Sequence, residues 1–231
     1  MSDSDSFIDE VTEEVRRDRL YATFRRWAPV AALAIVLLVG GAAWNEYRKA
    51  SARAEAEALG DAIIAALEAD APATRAERLQ AIDAGSQGGQ AVLRLLTAAA
   101  QVEAGAPEAA VAGLDSVATM GDLPDIYRQL AAFKALTLQS DSLPAEDRRT
   151  AFEALARPGQ PLRLLAEEQL ALIEIEQENT QAAIDRFQAV LSDAEASPSL
   201  RDRASQMIVA LGGTPEAPAR GGTAQAPASQ G

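Results

Sequence analysis

The residues best suited to acid–base or nucleophilic chemistry are largely missing from this chain. It contains no histidine and no cysteine, so imidazole bases, thiolate nucleophiles, disulfides and thiolate metal sites are all excluded. The two lysines are Lys49 and Lys134. Lys134 lies among apolar residues of a predicted helix, where a surface lysine that extends its charged end into water is expected rather than a catalytic base. The chain is therefore predicted not to be an enzyme.

Clustered glutamates are the remaining candidates for site chemistry. Their positions are Glu167, Glu168, Glu174, Glu176 and Glu178. Carboxylates can hold a hard cation, but these are spread around a predicted helix instead of following the ligand spacing of a calcium loop. The glycine-rich segment 85–89 is predicted to be a turn between helices and not a phosphate-binding loop. We therefore predict a solvated glutamate face, with no metal and no cofactor.

The charge balance excludes a further class of function. The 231 residues include 34 acidic and 21 basic side chains, a net charge of −13. After residue 44 the counts are 27 acidic and 16 basic side chains, so the excess of acids persists there. Such a surface repels phosphate backbones, and nucleic-acid binding is not expected.

The stretch from Trp27 to Trp44 is the element that determines where the rest of the chain lies. It carries no charge and has a tryptophan at each end. As a helix it would be about 27 Å long, close to the roughly 30 Å hydrocarbon core of a bilayer, with both indoles at headgroup depth. The flanking basic residues are Arg16, Arg17, Arg19, Arg25 and Arg26 before the run and Arg48, Lys49 and Arg53 after it. This asymmetry predicts a transmembrane helix over 27–44, with residues 1–26 in the cytoplasm and residues 45–231 exported.

Two alternatives to a retained anchor remain open. The run could be a buried core helix, although a helix this apolar on every side is unusual in a chain of modest size. It could also be a cleaved signal peptide, because Gly41 and Ala43 are small residues at a suitable spacing. Against cleavage, the leader extends as far as Arg26 and begins with acidic residues, whereas a signal peptide begins with a short basic region. A retained anchor is the favoured interpretation.

The leader over residues 1–26 is predicted to contain an amphipathic helix. Phe7, Ile8, Val11 and Val15 share one face of that helix. One interpretation is that this face and the arginines lie on the inner leaflet of the membrane. The other is that the helix docks on the cytoplasmic or membrane part of a partner.

Helical repeats are predicted over residues 45–211. The segment that contains Ala110 and Leu114 aligns with the later segment that contains Ala183 and Phe187. The spacing from Ala110 to Ala183 amounts to two periods of about 36 residues, which indicates helix-turn-helix units of the tetratricopeptide type. In each unit the alanine lets two helices approach closely, and the larger residue four positions later fills the adjoining groove. We therefore predict an all-α protein with a tetratricopeptide-like α-solenoid; an irregular helical bundle is the alternative.

The last residues, 212–231, contain no large apolar side chain. Such a segment cannot bury enough surface to offset the entropy of ordering it. It is predicted to be a disordered tail.

The leader and the span together resemble one known family. The residues that carry this resemblance are a short acidic opening, the stretch from Phe7 to Leu20, and the end of the apolar run from Gly41 to Tyr47. They resemble the alphaproteobacterial members of the YfgM-like family, and the resemblance extends more weakly over residues 45–211. It implies an inner-membrane protein with a periplasmic tetratricopeptide-like domain, acting as an ancillary subunit of the Sec translocon. The implied partners are translocon subunits, periplasmic chaperones and exported client proteins, and the family has no catalytic residues to carry over.

Two classes of function follow from these observations. The first is a membrane-anchored scaffold at the Sec translocon that helps hand exported proteins over to periplasmic chaperones. The second is an envelope-organising or cell-division coordinating structural protein that forms homo-oligomers through its helical repeats. A coordinator of envelope constriction has a related repeat fold, but proteins of that kind are usually soluble in the periplasm. The predicted anchor therefore favours the first class.

Overall fold

The computed structural model describes the backbone of residues 3–216 and the side chains of residue 27, residue 30 and residues 33–216. Within this part the protein is all-α, with nine helices and no strand. The helices are α1 (Asp3–Leu67), α2 (Pro72–Gln80), α3 (Gln87–Glu103), α4 (Pro107–Ala118), α5 (Asp125–Leu138), α6 (Ala145–Leu155), α7 (Arg163–Glu176), α8 (Thr180–Ser192) and α9 (Pro198–Ala210).

The chain divides into two compact units, Met1–Gly60 and Asp61–Gly231. In the first unit, the described large apolar side chains up to Tyr47 are exposed, including Trp27 (63%) and Trp44 (66%), and Leu59 is half-buried. Among the residues described, no helical segment has both the length and the apolar character that a membrane span requires. The side chains of residues 28, 29, 31 and 32, which belong to the predicted span, lie outside the described residues, as do those of the leader 1–26. The span and the amphipathic leader stay predictions.

The helices of the second unit pack in chain order. Each of α3 to α8 contacts the helix before it and the helix after it, and the contact between α5 and α6 is the smallest. Neighbour-to-neighbour packing of this kind is consistent with an α-solenoid.

A four-helix arrangement occurs twice in the second unit, at the spacing that separates Ala110 from Ala183. We call this spacing the repeat offset. Helices α2, α4 and α5 begin at residues 72, 107 and 125, and helices α6, α8 and α9 begin at residues 145, 180 and 198. We call α2–α5 the first copy and α6–α9 the second copy. Buried side chains follow the same offset in the pairs Leu79 and Phe152, Ala98 and Ala171, Ala110 and Ala183, Leu114 and Phe187, Val117 and Val190, Leu123 and Ala196, Ala131 and Ala204, and Ala135 and Ile208.

Arginines hold the loops before α2 and α6 in the same way. Arg75 donates to the carbonyl oxygen of Asp70 at 3.5 Å, and Arg148 donates to that of Leu143 at 3.0 Å. Each arginine also forms an ion pair with the end of the next helix, Arg75 with Glu103 and Arg148 with Glu176. These positions again differ by the repeat offset, so the duplication includes charged residues as well as the core.

The two copies join through α5 and α6. The ring of Phe133 meets the edge of Phe152, with ring centroids 5.6 Å apart and planes at 69°. Beside them, the side-chain amides of Gln129 and Gln160 share a hydrogen bond of 2.5 Å. Because this contact is smaller than the contacts within each copy, the aromatic pair carries much of the connection.

One predicted turn is shorter than the sequence indicates. Segment 85–89 is predicted to lie between helices, but α3 begins at Gln87, so Gly88 and Gly89 belong to its first turn. The hydroxyl of Ser86 accepts a hydrogen bond of 3.1 Å from the backbone N–H of Gly89. This N-cap stabilises the helix start and offsets the low helix propensity of the two glycines.

The described end of the chain is attached to α8. The side-chain amide of Gln188 donates to the carbonyl oxygen of Glu216 at 2.6 Å and accepts from the N–H of Glu216 at 2.9 Å. The beginning of the predicted tail 212–231 is thus described as far as Glu216, and residues 217–231 lie outside the described residues.

Candidate interaction site

The four residues predicted to pack the repeats lie inside the second unit. Ala110, Ala183 and Phe187 have no exposed surface, and Leu114 is 1% exposed. Leu114 packs with α3 and α5, and Phe187 packs with α7 and α9. These residues position the helices. Because they are buried, any binding would involve other side chains, on the surface.

An apolar groove lies between α3 and α5 of the first copy. Its volume is about 390 Å³. Leu95, Ala99 and Val102 of α3 line one side, Phe133 and Leu138 of α5 line the other, and Leu114 of α4 lies between them. The charged residues that line this groove are Glu103 and Lys134. The groove therefore offers an apolar surface with one charge of each sign.

The matching surface of the second copy is crossed by an ion pair. Glu168 of α7 stands where the first copy has Leu95, and Arg203 of α9 stands where it has Leu130. Arg203 donates two hydrogen bonds to the carboxylate of Glu168, at 2.7 and 2.8 Å. A planar two-bond pair of this kind is geometrically demanding. It connects α7 to α9 at positions where the first copy has two leucines.

A buried glutamate is at the centre of the charged network of the second copy. Glu174 is 6% exposed. It accepts hydrogen bonds from Arg149 at 2.5 Å and from the side chain of Asn179 at 3.0 Å. The hydrogen bond from Arg149 lowers the pKa of Glu174 to about 2, although burial opposes this change. Glu174 is thus a charged structural group between α6, α7 and α8.

The prediction of a solvated glutamate face is wrong for Glu167, Glu168 and Glu174, which are buried or half-buried, and is confirmed for the exposed Glu176 and Glu178. Four of the five glutamates form ion pairs, which are Glu167 with Arg186, Glu168 with Arg203, Glu174 with Arg149, and Glu176 with Arg148. The sequence pattern of α7 alone could not reveal this, because the arginines come from α6, α8 and α9. Only Glu178 lacks such a pair among the described residues. In the same part of the chain, no group of three or more potential ligands is placed to hold a metal ion.

Lys134 is exposed at the wall of the apolar groove. It has no carboxylate within ion-pair distance in the part of the chain that the structure describes. Its surroundings are those of a surface cation beside an apolar groove.

The chain was compared with known proteins at three levels. No protein-family model, no curated protein and no solved structure matches it. The resemblance to the YfgM-like family therefore stays a prediction that is based on the leader and the apolar run.

Proposed function

We propose that this protein is a membrane-anchored interaction scaffold at the Sec translocon, which helps hand exported proteins over to periplasmic chaperones. The second unit is proposed to be a tetratricopeptide-like α-solenoid. The observation that carries this proposal is the duplication of four helices at the repeat offset, since each copy contains two helix pairs of about 36 residues. Stacked helix pairs of this kind form extended surfaces that are used to bind other proteins.

The proposed anchor is the helix over residues 27–44. Its support is the uncharged sequence between the two tryptophans and the exposure of the described apolar side chains of this segment, which in water would be unfavourable. The arginine excess before this segment favours a cytoplasmic N-terminus and a periplasmic second unit. The protein would then be a single-pass inner-membrane protein.

The apolar groove between α3 and α5 is the proposed contact for clients or chaperones. Val102 is 39% exposed, and Leu95 and Leu138 are half-buried beside it. An unfolded exported chain presents apolar side chains, and transfer of these side chains out of water favours binding in such a groove. Lys134 provides a positive charge at the wall of the groove for orientation, whereas the carboxylate of Glu103 is paired with Arg75.

Purification of the intact protein in mild detergent tests the proposal. Translocon subunits should co-purify with it and should not co-purify with an unrelated single-span protein expressed at the same level. If the two proteins recover equal amounts of translocon subunits, the proposal is wrong and the envelope-organising alternative becomes the better one.

A second chain, in which an unrelated membrane helix replaces residues 27–44, locates the contact. Retained co-purification would place the contact in the leader or in the periplasmic unit. Lost co-purification would place it on the span itself.

A further inference from the structure

A second cavity of the first copy lies between α2, α3 and α4 and shares no lining residue with the apolar groove. Its volume is about 380 Å³, and Leu79 and Leu93 provide an apolar part of its wall. We call it the Arg94 cavity. Its polar part includes Gln90, Arg94, Thr97, Gln101 and Ser116, together with Gln80 and Asp83, and Gly113 lies beside them.

Arg94 has no carboxylate partner in this cavity. Its guanidinium donates to the hydroxyl oxygen of Ser116, which itself donates to the carbonyl oxygen of Gly113 at 2.6 Å. Among the described residues, no carboxylate oxygen lies within 4.0 Å of the Arg94 nitrogens. Asp83 also lines the cavity, but its carboxylate accepts from the N–H of Gly85 at 3.1 Å. The half-buried guanidinium therefore forms no ion pair among the described residues, although the carboxylate of Asp83 lines the same cavity.

Further polar groups of the cavity are also unused. Thr97 is 8% exposed, and its hydroxyl makes no hydrogen bond within the described part of the chain. The side-chain amides of Gln90 and Gln101 make none there either. Gln90 is exposed and Gln101 is half-buried, so their amides are accessible to a ligand that enters the cavity.

The matching cavity of the second copy has a volume of about 330 Å³, and ion pairs lie along its wall. Glu167 stands at the position of Arg94, Arg186 at that of Gly113, and Arg163 at that of Gln90. There, Arg186 pairs with Glu167 at 2.9 Å, and Arg163 pairs with Asp193 at 2.9 Å. In the first copy, Arg94 thus replaces the carboxylate of Glu167, and Gly113 replaces Arg186.

The glycine leaves room for a ligand. A Cβ atom added at Gly113 would meet no other atom within 4 Å. In the second copy, the Arg186 side chain begins at this position and reaches the carboxylate of Glu167. An external carboxylate that enters beside Gly113 would restore the opposite charge that the first copy lacks.

We propose that the Arg94 cavity binds a carboxylate of an acidic peptide segment in a partner protein. This inference rests on the proposed scaffold function and names the chemistry of one partner. The guanidinium would pair with the carboxylate, and the amides of Gln90 and Gln101 would bind the main chain of the peptide. The same domain already contains such a contact, because the amide of Gln188 binds both backbone groups of Glu216.

Electrostatics favours this location over the rest of the surface. The chain carries a net charge of −13, which repels an acidic peptide at most places. A cation without a counter-ion in a partly enclosed cavity attracts the peptide locally, and the reduced access of water strengthens that attraction.

Two pools of fluorescein-labelled octapeptides test the proposal by fluorescence anisotropy with the intact protein in detergent. The pools are degenerate at six positions and differ only in the two central residues, which are glutamate in one pool and glutamine in the other. The glutamate pool should bind at least tenfold more tightly. Arg94→Gln should lower its affinity to that of the glutamine pool, and added salt should weaken its binding to the wild type.

Two further variants separate the cavity from general charge and from folding. Gly113→Leu keeps Arg94 and fills the cavity, and it should also lower the affinity at least tenfold. Arg157→Gln removes the same charge at an exposed arginine outside the cavity, and it should bind the glutamate pool as the wild type does. Helical circular dichroism and thermal melting establish that each variant is folded.

Several outcomes would overturn the inference. These are equal binding of the two pools, undiminished binding by folded Gly113→Leu, or an equal loss in Arg94→Gln and Arg157→Gln. Co-purification of translocon subunits is measured separately on the wild type. If those subunits co-purify but the pools bind equally, only the inference about the cavity fails. If the glutamate pool binds through Arg94 but no translocon subunit co-purifies, only the proposed location fails.

Discussion

Glu178 holds the left-handed turn position that Gly105 holds in the first copy. Their φ angles are 61° and 76°. In both turns the next backbone N–H donates to a carbonyl oxygen five residues earlier, from Ala106 to Gln101 and from Asn179 to Glu174, each at 2.8 Å. A residue with a side chain is disfavoured in this conformation, whereas glycine is not. The second copy therefore keeps the turn at an energetic cost that the first copy avoids.

Glu178→Gly is expected to stabilise the protein by about 0.5–1 kcal/mol, because it relieves the left-handed backbone and removes no ion pair. Chemical unfolding of the intact protein in detergent, followed by circular dichroism, measures the change. Gly105→Ala should cost about 1 kcal/mol for the opposite reason. Gly113→Ala, in the interior of α4 with no atom near the new methyl group, should stabilise by about 1 kcal/mol. A less stable Glu178→Gly variant would show that the carboxylate has a role in this turn.

Ala183→Arg is expected to destabilise the protein by several kcal/mol. Ala183 has no exposed surface, so the substitution would bury an unpaired charge and overpack the contact between helices. The melting temperature of the intact protein measures this loss. Ala189→Arg lies on the same helix outside the core and should leave the melting temperature nearly unchanged. An unchanged melting temperature for Ala183→Arg would contradict the assigned packing.

Glu174→Gln is expected to cost about 2 kcal/mol at pH 7, because Arg149 would lose its buried carboxylate partner. The pKa of Glu174 is lowered from 4.5 to about 2, so its charge stabilises the fold fully above pH 4.5. This contribution is lost as the pH falls towards 2. The stability difference between wild type and variant should therefore shrink over that range. Unfolding curves at several pH values measure it, with exposed Glu77→Gln as the control. A difference independent of pH would mean that packing, not charge, is responsible.

Protease added to spheroplasts is expected to digest the chain after about residue 45 and to spare the leader. The reason is the arginine excess before the predicted span, which holds the N-terminus in the cytoplasm. N-terminal sequencing of the mature protein should find an uncut leader. A mature protein that begins at Trp44 would instead establish cleavage and a periplasmic protein without an anchor.

The all-α fold could be predicted from the sequence because its signals are local. Helix formers, glycine and proline breaks, and apolar residues at spacings of three and four indicate helices without knowledge of the tertiary structure. The offset between Ala110 and Ala183 is also visible in the sequence. The extension of this offset over four helices is indicated by weaker signals, such as Arg75 and Arg148. These two arginines can be recognised as equivalent only when the structure shows that both hold the loop before a helix in the same way.

The candidate sites could not be predicted, because each depends on side chains from several helices. Arg94 has the sequence context of an ordinary surface arginine until it is compared with the ion-paired cavity of the second copy. The glutamates of α7 have the pattern of a solvated face until the arginines of three neighbouring helices are in position. In both cases the informative signal is a difference between equivalent positions of the two copies.

The constant offset has a consequence for how the length of this domain can change. Ala71 and Pro144 stand directly before α2 and α6, so removal of residues 72–144 would join Ala71 to Ala145 at an equivalent junction. Natural shortening or lengthening at this junction would then proceed in steps of one whole copy, without a new loop. The apolar groove and the Arg94 cavity both lie in the first copy. Loss or gain of one whole copy would therefore remove or add both of them together. The ion-paired second copy would still form the end of the domain.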